Sequence, residues 1–202
     1  MPFSLESHDI KDYLKESSLI NYSHPSIIEV SRLFFKSEQS DAKKIKTAFE
    51  FVRDNIHHSW DVQHTRVTCV ASDVLKGQEG ICYAKSHLLA ALLRSQDMPT
   101  GFCYQRLMLF DTPEKGYCIH ALNAVFVEQV HKWIRLDARG NKKGINAQFS
   151  TEREIMAFSV QRSRGEVDYP LIYCQPHPKT AATLRTYDDA LDMYLHHLPD
   201  KI

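Results

Sequence analysis

Apolar residues recur at helical spacing in several stretches of the chain. Ile27, Ile28, Val30, Leu33 and Phe34 mark one face of a helix over 25–36, and Pro25 suits its first position. Ile45, Ala48, Phe49, Val52 and Ile56 mark a second helix over 41–58, capped by Ser40 or Asp41. Ala84, Leu88, Leu89, Ala91 and Leu92 form a wide stripe over 82–97, and Pro99 stops it. Leu191, Tyr194, Leu195 and Leu198 predict a last helix, with Thr186 and Asp189 as a loose cap. Thr151 with Glu154 reads as a capping box for a short helix through Phe158.

Strand-like runs lie between these helices. They cover Phe102–Phe110, Ile119–Val127, Trp133–Asp137 and a short piece at Leu171–Tyr173. Trp133 is expected to pack on the sheet. The stretch 59–80 holds no period, so it predicts an irregular connection with one helical turn near Ala71–Leu75, ending in Gly77-Gln78-Glu79-Gly80. Helices first, then strands, then helical elements predict an α+β domain with an antiparallel sheet. The 202 residues fit one domain spanning 1–202, long enough to bury a core without disulfides or a structural metal.

Charge narrows the function. Lys+Arg and Asp+Glu are each 25, so the formal net charge is zero. Such a balance gives no field to steer nucleic acid or an acidic membrane, and neither is expected as a partner. The N-terminus lacks the pattern of a secretory leader, and no run approaches the roughly 18 apolar residues of a membrane span. A cytoplasmic protein is expected. Five scattered cysteines without a CxxC fit reduced thiols better than a disulfide framework or a zinc ribbon.

Candidate chemistry centres on Gly80-Ile81-Cys82 at the mouth of the 82–97 helix. Gly80 lets the backbone turn sharply. The positive end of the helix dipole stabilises a thiolate there, and the unpartnered first amides, that of Cys82 included, offer an oxyanion donor. Cys118 is the main rival, two residues from His120, but it lacks the helix-end field. His120 opens one strand and Asp137 closes the next. A turn at Glu128–Gln129 pairs Val127 with Val130 and, carried along the hairpin, His120 with Asp137. That pairing suits a carboxylate holding an imidazole in one orientation.

Other polar groups have plainer readings. His57, His58, Asp61 and His64 read as solvated groups at a helix end rather than a metal site. Arg139, Lys142 and Lys143 read as a charged turn, with a substrate carboxylate as the alternative. No motif calls for a metal or a cofactor.

The runs EGICYAKSHLLAALLRSQDMPTGFCYQRL, IHALNAVFVE and HKWIRLDARGN together resemble the core of the transglutaminase-like superfamily. The resemblance spans roughly Ala48 to Asn141 within a core of about 41–141, flanked by N-terminal helical and C-terminal extensions. It implies a papain-like fold, with the nucleophile helix packed on an antiparallel sheet. It also implies Cys82 as nucleophile, His120 as general base and acid, and Asp137 as orienting carboxylate. The family's second oxyanion donor is usually an upstream side chain, and Trp60, Gln63 and Gln78 are the candidates here. The chain departs from many members at Leu122 and at Ala138-Arg139-Gly140, which bears on substrate preference. The implied activity is attack on an amide carbonyl through a thioester. The substrate would be a peptide, protein or small amide, and hydrolysis is favoured over amine transfer. An arylamine N-acetyltransferase-like enzyme, or an inactive binding domain on the same scaffold, are the alternatives.

Overall fold

Thirteen residues from Cys82 to Arg94 form a helix that is buried on every side. A computed structural model describes residues 3–202 and places this helix, α5, at the centre. The sequence stripe marked one apolar face, but the flanks are buried too, Lys85, His87 and Arg94 among them. Four helices precede α5: α1 (Pro25–Phe34), α2 (Asp41–Asn55), α3 (Ser59–Val62) and α4 (Ala71–Gly77). His24 caps α1 and Ser40 caps α2, each by a side chain that accepts a backbone N–H. The connection at 59–80 is thus more ordered than expected, because α3 and α4 form inside it.

An antiparallel sheet lies against α5. Its strands are β2 (Thr100–Met108), β3 (Tyr117–Val127), β4 (Lys132–Leu136) and β5 (Val167–Asp168), in the order β4-β3-β2-β5. A small parallel pair joins β1 (Ser4–Leu5) to β6 (Leu171–Ile172). Alternate residues of β3 serve two cores. Ile119, Ala121, Val125 and Val127 join the main core with α5, while Leu122 and Ala124 meet Tyr13, Cys103 and Ile172 on the other side. Trp133 packs there against Tyr13, ring centroids 4.8 Å apart.

Two polar links hold α5 to the sheet. The Tyr83 hydroxyl donates to Ile119 O at 2.8 Å, and Asn123 Nδ2 donates to Ser86 O at 3.1 Å. At the other end Arg94 spreads its guanidinium over three carbonyls: Thr100 (2.6 Å), Cys174 (2.6 Å) and Lys15 (2.5 Å).

Three local expectations change. No helix forms at 151–158, because the Glu154 carboxylate accepts from Arg135 (2.6 and 2.8 Å) instead of folding back on Thr151. The 128–131 turn takes four residues, with His131 in the left-handed region (φ 50°). Val127 therefore faces Lys132 rather than Val130, and the hairpin register moves by two. The last helix forms as α7 (Ala190–His196), and an unexpected helix, α6 (Pro178–Thr186), precedes it. Asp189 alone caps α7, and its buried face is Ala190 and Met193, whereas Leu195 is exposed.

Arg94→Met leaves three carbonyls without their donor. Loss of about 3 kcal/mol is expected, read in urea or as a melting point lowered by roughly 6–12 °C.

Candidate active site

Cys82 begins α5 behind Ile81, and no side chain caps the helix there. The first helix-forming bond runs from Lys85 N to Ile81 O, so the amides of Cys82, Tyr83 and Ala84 are free of the helix ladder. Gly80 is required for closeness rather than for a left-handed turn. A Cβ there would stand 2.8 Å from Thr68 Oγ1 and 2.9 Å from Ala84 Cβ. Residues 57–59 run beside this approach: His57 N donates to Gln78 O, Gly80 N to His57 O and Ser59 N to Gly80 O.

His120 and Asp137 come together, though not as a directly opposed pair. In the observed register Asn123 faces Leu136, so Asp137 continues the strand two positions away from His120 on the same face. The side chains close that diagonal. His120 Nε2 lies 2.9 Å from Asp137 Oδ2, which leaves Nδ1 for the thiol. The three residues are nearly inaccessible: Cys82 is 7%, His120 4% and Asp137 1% exposed. The second Asp137 oxygen and its neighbour accept backbone N–H groups of Arg139 (3.3 Å) and Ala157 (3.1 Å).

Charge follows from this arrangement. Burial opposes a proton on His120, but the Asp137 carboxylate and the Cys82 sulfur outweigh it, and the ring is pushed up to about 10. Burial likewise opposes charge on Asp137, yet His120 and the two backbone donors hold it below the usual carboxylate range. Cys118 remains a thiol, pushed up to about 12 chiefly by burial and then by the Cys82 charge. The ring of Phe158 meets His120 edge-on at 5.1 Å.

The polar groups around Cys82, His120 and Asp137 differ from the sequence expectation. His57 and His64 are exposed, but His58 is 4% exposed and its Nδ1 is buried without a partner. Burial, then the Arg139 charge, keeps His58 neutral by lowering it well below its ordinary value. Arg139 is no solvated turn residue. It is buried and grips Asp61 with both guanidinium arms, and Lys142 joins at 2.6 Å.

The three oxyanion candidates separate. Gln63 is exposed, and its amide donates to Trp60 O. Gln78 is exposed and ends α4 in the left-handed region (φ 52°). Trp60 is half-buried and stacks on Tyr194 (5.0 Å, 15°). The Tyr194 hydroxyl is raised chiefly by burial and then by the charges of Cys118 and Cys82. Tyr194, Phe158 and His58 carried no signal of this role in the sequence. Each reads there as a core or surface position, and only the packing of distant segments assembles them.

The pair makes stability depend on pH. The raised His120 stabilises fully below its ordinary value of 6.5 and loses its effect as pH rises towards about 10. The lowered Asp137 stabilises above 3.8 and loses its effect as pH falls through its folded value. The stability difference between wild type and His120→Gln, read by urea unfolding, should be largest near pH 4–6.5 and narrow steadily above it. A difference that does not change with pH would contradict the ion pair.

The family model of the transglutaminase-like superfamily matches residues 29–138, more than half of the chain. No curated protein matches it in sequence. A candidate cysteine protease from Cytophaga hutchinsonii has the same fold: 20% identity and a TM-score of 0.53 over 66% of this chain and 43% of that one. A candidate protease from Parabacteroides distasonis gives 15% identity and a TM-score of 0.42 over 75% of this chain and 30% of that one. A TGase gives 16% and 0.44 over 91% and 52%. The chain spans about half the length of these proteins or less. With the core matched in sequence and in architecture, the chain belongs to the transglutaminase-like superfamily.

Proposed function

We propose that the protein is a cysteine-dependent enzyme that attacks an amide carbonyl and passes through a thioester. The observation that carries this reading is the buried His120–Asp137 pair, 2.9 Å long, beside a cysteine at a helix N-terminus. Cys82 is the nucleophile. As a thiolate facing the protonated His120 ring, it forms an S–C bond to the carbonyl carbon. The Cys82 amide donates to the developing oxyanion. His120 then gives its proton to the leaving amine as the C–N bond breaks. Water, giving a proton to the now neutral ring, attacks the thioester carbon; the C–S bond breaks, the acid leaves, and the thiolate and protonated ring are restored. Asp137 fixes the ring with Nδ1 towards the sulfur and stabilises the imidazolium.

Trp60 is the second oxyanion donor in this reading. Its ring is half-buried and stacks on Tyr194, whereas the Gln63 amide is engaged and Gln78 faces solvent. Hydrolysis is favoured over amine transfer because water requires no acceptor pocket. The substrate is a peptide, a protein or a small amide. Free thiols at all five cysteines suit a reducing compartment such as the cytoplasm.

An electrophilic amide probe should label Cys82 in the native protein, with labelling mapped to that residue by mass spectrometry. Cys82→Ala should abolish turnover of any amide substrate so found, and His120→Gln should lower kcat by about 10²–10⁴-fold. Full turnover by either variant would overturn the reading. Release of acid rather than amine adduct, with a primary amine present, would identify water as the acceptor.

A further inference from the structure

The last part of the chain lies against the strand that carries His120. Residues 187–201 run from the end of α6 through α7 to the edge of β3 beside His120. Asp189 caps α7 by accepting from Leu191 N (2.8 Å) and Asp192 N (3.0 Å), and Ala190 N donates to Thr65 O at 2.6 Å. One turn on, Tyr194 drops between Trp60 (5.0 Å), His58 (5.6 Å) and Phe110 (6.0 Å). Past α7 the backbone becomes extended, and Pro199 O accepts from Ile119 N at 2.8 Å. Asp200 O then accepts from Arg106 Nε at 2.9 Å.

That Ile119 bond lies where β4 has already stopped. β4 covers β3 only as far as Asn123, and the chain leaves at Asp137 to feed the triad. The outer edge of β3 beside His120 is left bare, and Pro199 occupies it as an added strand would. The aromatic slot is also prepared in advance. Phe110 and Asp111 both sit in the left-handed region (φ 55° each), a conformation costly for residues with side chains. Phe110 is nevertheless 41% exposed, with its ring turned to Trp60 at 5.2 Å.

We propose that residues 190–200 are an intramolecular occupant of the substrate cleft, and that an extended polypeptide presenting an aromatic side chain takes their place. This rests on the reading of Cys82 as nucleophile and names the class of its substrate. The main chain of the incoming segment takes the Ile119 N–H and the Arg106 guanidinium. Its ring takes the slot of Tyr194 against Trp60 and Phe110. A tethered occupant acts at an effective concentration on the order of millimolar, so a free peptide competes poorly until the tether is loosened.

The test uses the full chain. Iodoacetamide modification of Cys82 is followed by peptide mapping, with half-buried Cys69 as the internal reference. Tyr194→Ala should speed the reaction at Cys82 at least tenfold and leave Cys69 unchanged. A synthetic peptide with the sequence of residues 187–200 should then restore the slow rate, and the same peptide with its tyrosine replaced by alanine should not. Equal Cys82 rates in wild type and Tyr194→Ala, or no protection by the peptide, would overturn the proposal. If Tyr194→Ala unfolds, seen as buried Cys103 reacting together with Cys69, the cap variant Asp189→Ala replaces it. That variant touches no cleft residue and should give a several-fold rise, and no rise would again overturn the proposal. Adding His120→Gln to the opened variant separates the two claims. Uncovering depends on access alone, whereas an unchanged Cys82 rate on loss of His120 would count against the catalytic reading and leave the cover intact.

Discussion

Everything in the site depends on how α5 is seated on β3. A helix buried on all sides has no freedom to slide, and its first residue is fixed as firmly as its middle. The bond from the Tyr83 hydroxyl to Ile119 O ties the residue after Cys82 to the residue before His120. Asn123 repeats the tie one turn on, reaching both Ser86 O and Gly101 O. The distance between Cys82 and His120 is thus set by main-chain anchors on both elements, not by the flexible reach of two side chains.

The second constraint is electrical. Several charges are buried here, and each has its answer. Asp137 meets the His120 ring and two backbone amides. Arg139 meets Asp61, held down to about 2 against its burial by Arg139 and Lys142. Lys85, one turn into α5, caps the end of α2 at Ile56 O and Arg53 O, and burial lowers it to about 7. Removing any one of these partners would leave an uncompensated charge near the sulfur. His58 is the exception among them, neutral and with an orphaned ring nitrogen.

α1, α2, α5 and α7, the three main strands and the closeness of His120 to Asp137 were legible in the sequence for a physical reason. Apolar periodicity reports burial directly, and the helix-end cysteine has a local electrostatic signature. What escaped it depends on contacts between distant segments. The four-residue turn at Glu128–His131 moved the register by two, which preserves the face and so kept His120 and Asp137 together. A slip of one would have parted them. Glu154 looked like a helix cap until Arg135 claimed it. Arg139 and His58 looked solvated because nothing local shows that α3 and the 137–140 turn fold over each other. Val167–Asp168 is too short to carry a period and exists as a strand only by pairing with β2. The cover formed by α7 is the clearest instance. Its stripe was legible, but what it lies on was not.

The protonation state of His120 tests the central claim most directly. Nitrogen NMR of the native protein with ¹⁵N-labelled histidine should show both His120 ring nitrogens protonated at pH 8, and Asp137→Asn should return the ring to the neutral form at that pH. A His120 ring that titrates near 6.5 in the native protein, indifferent to Asp137, would contradict the account.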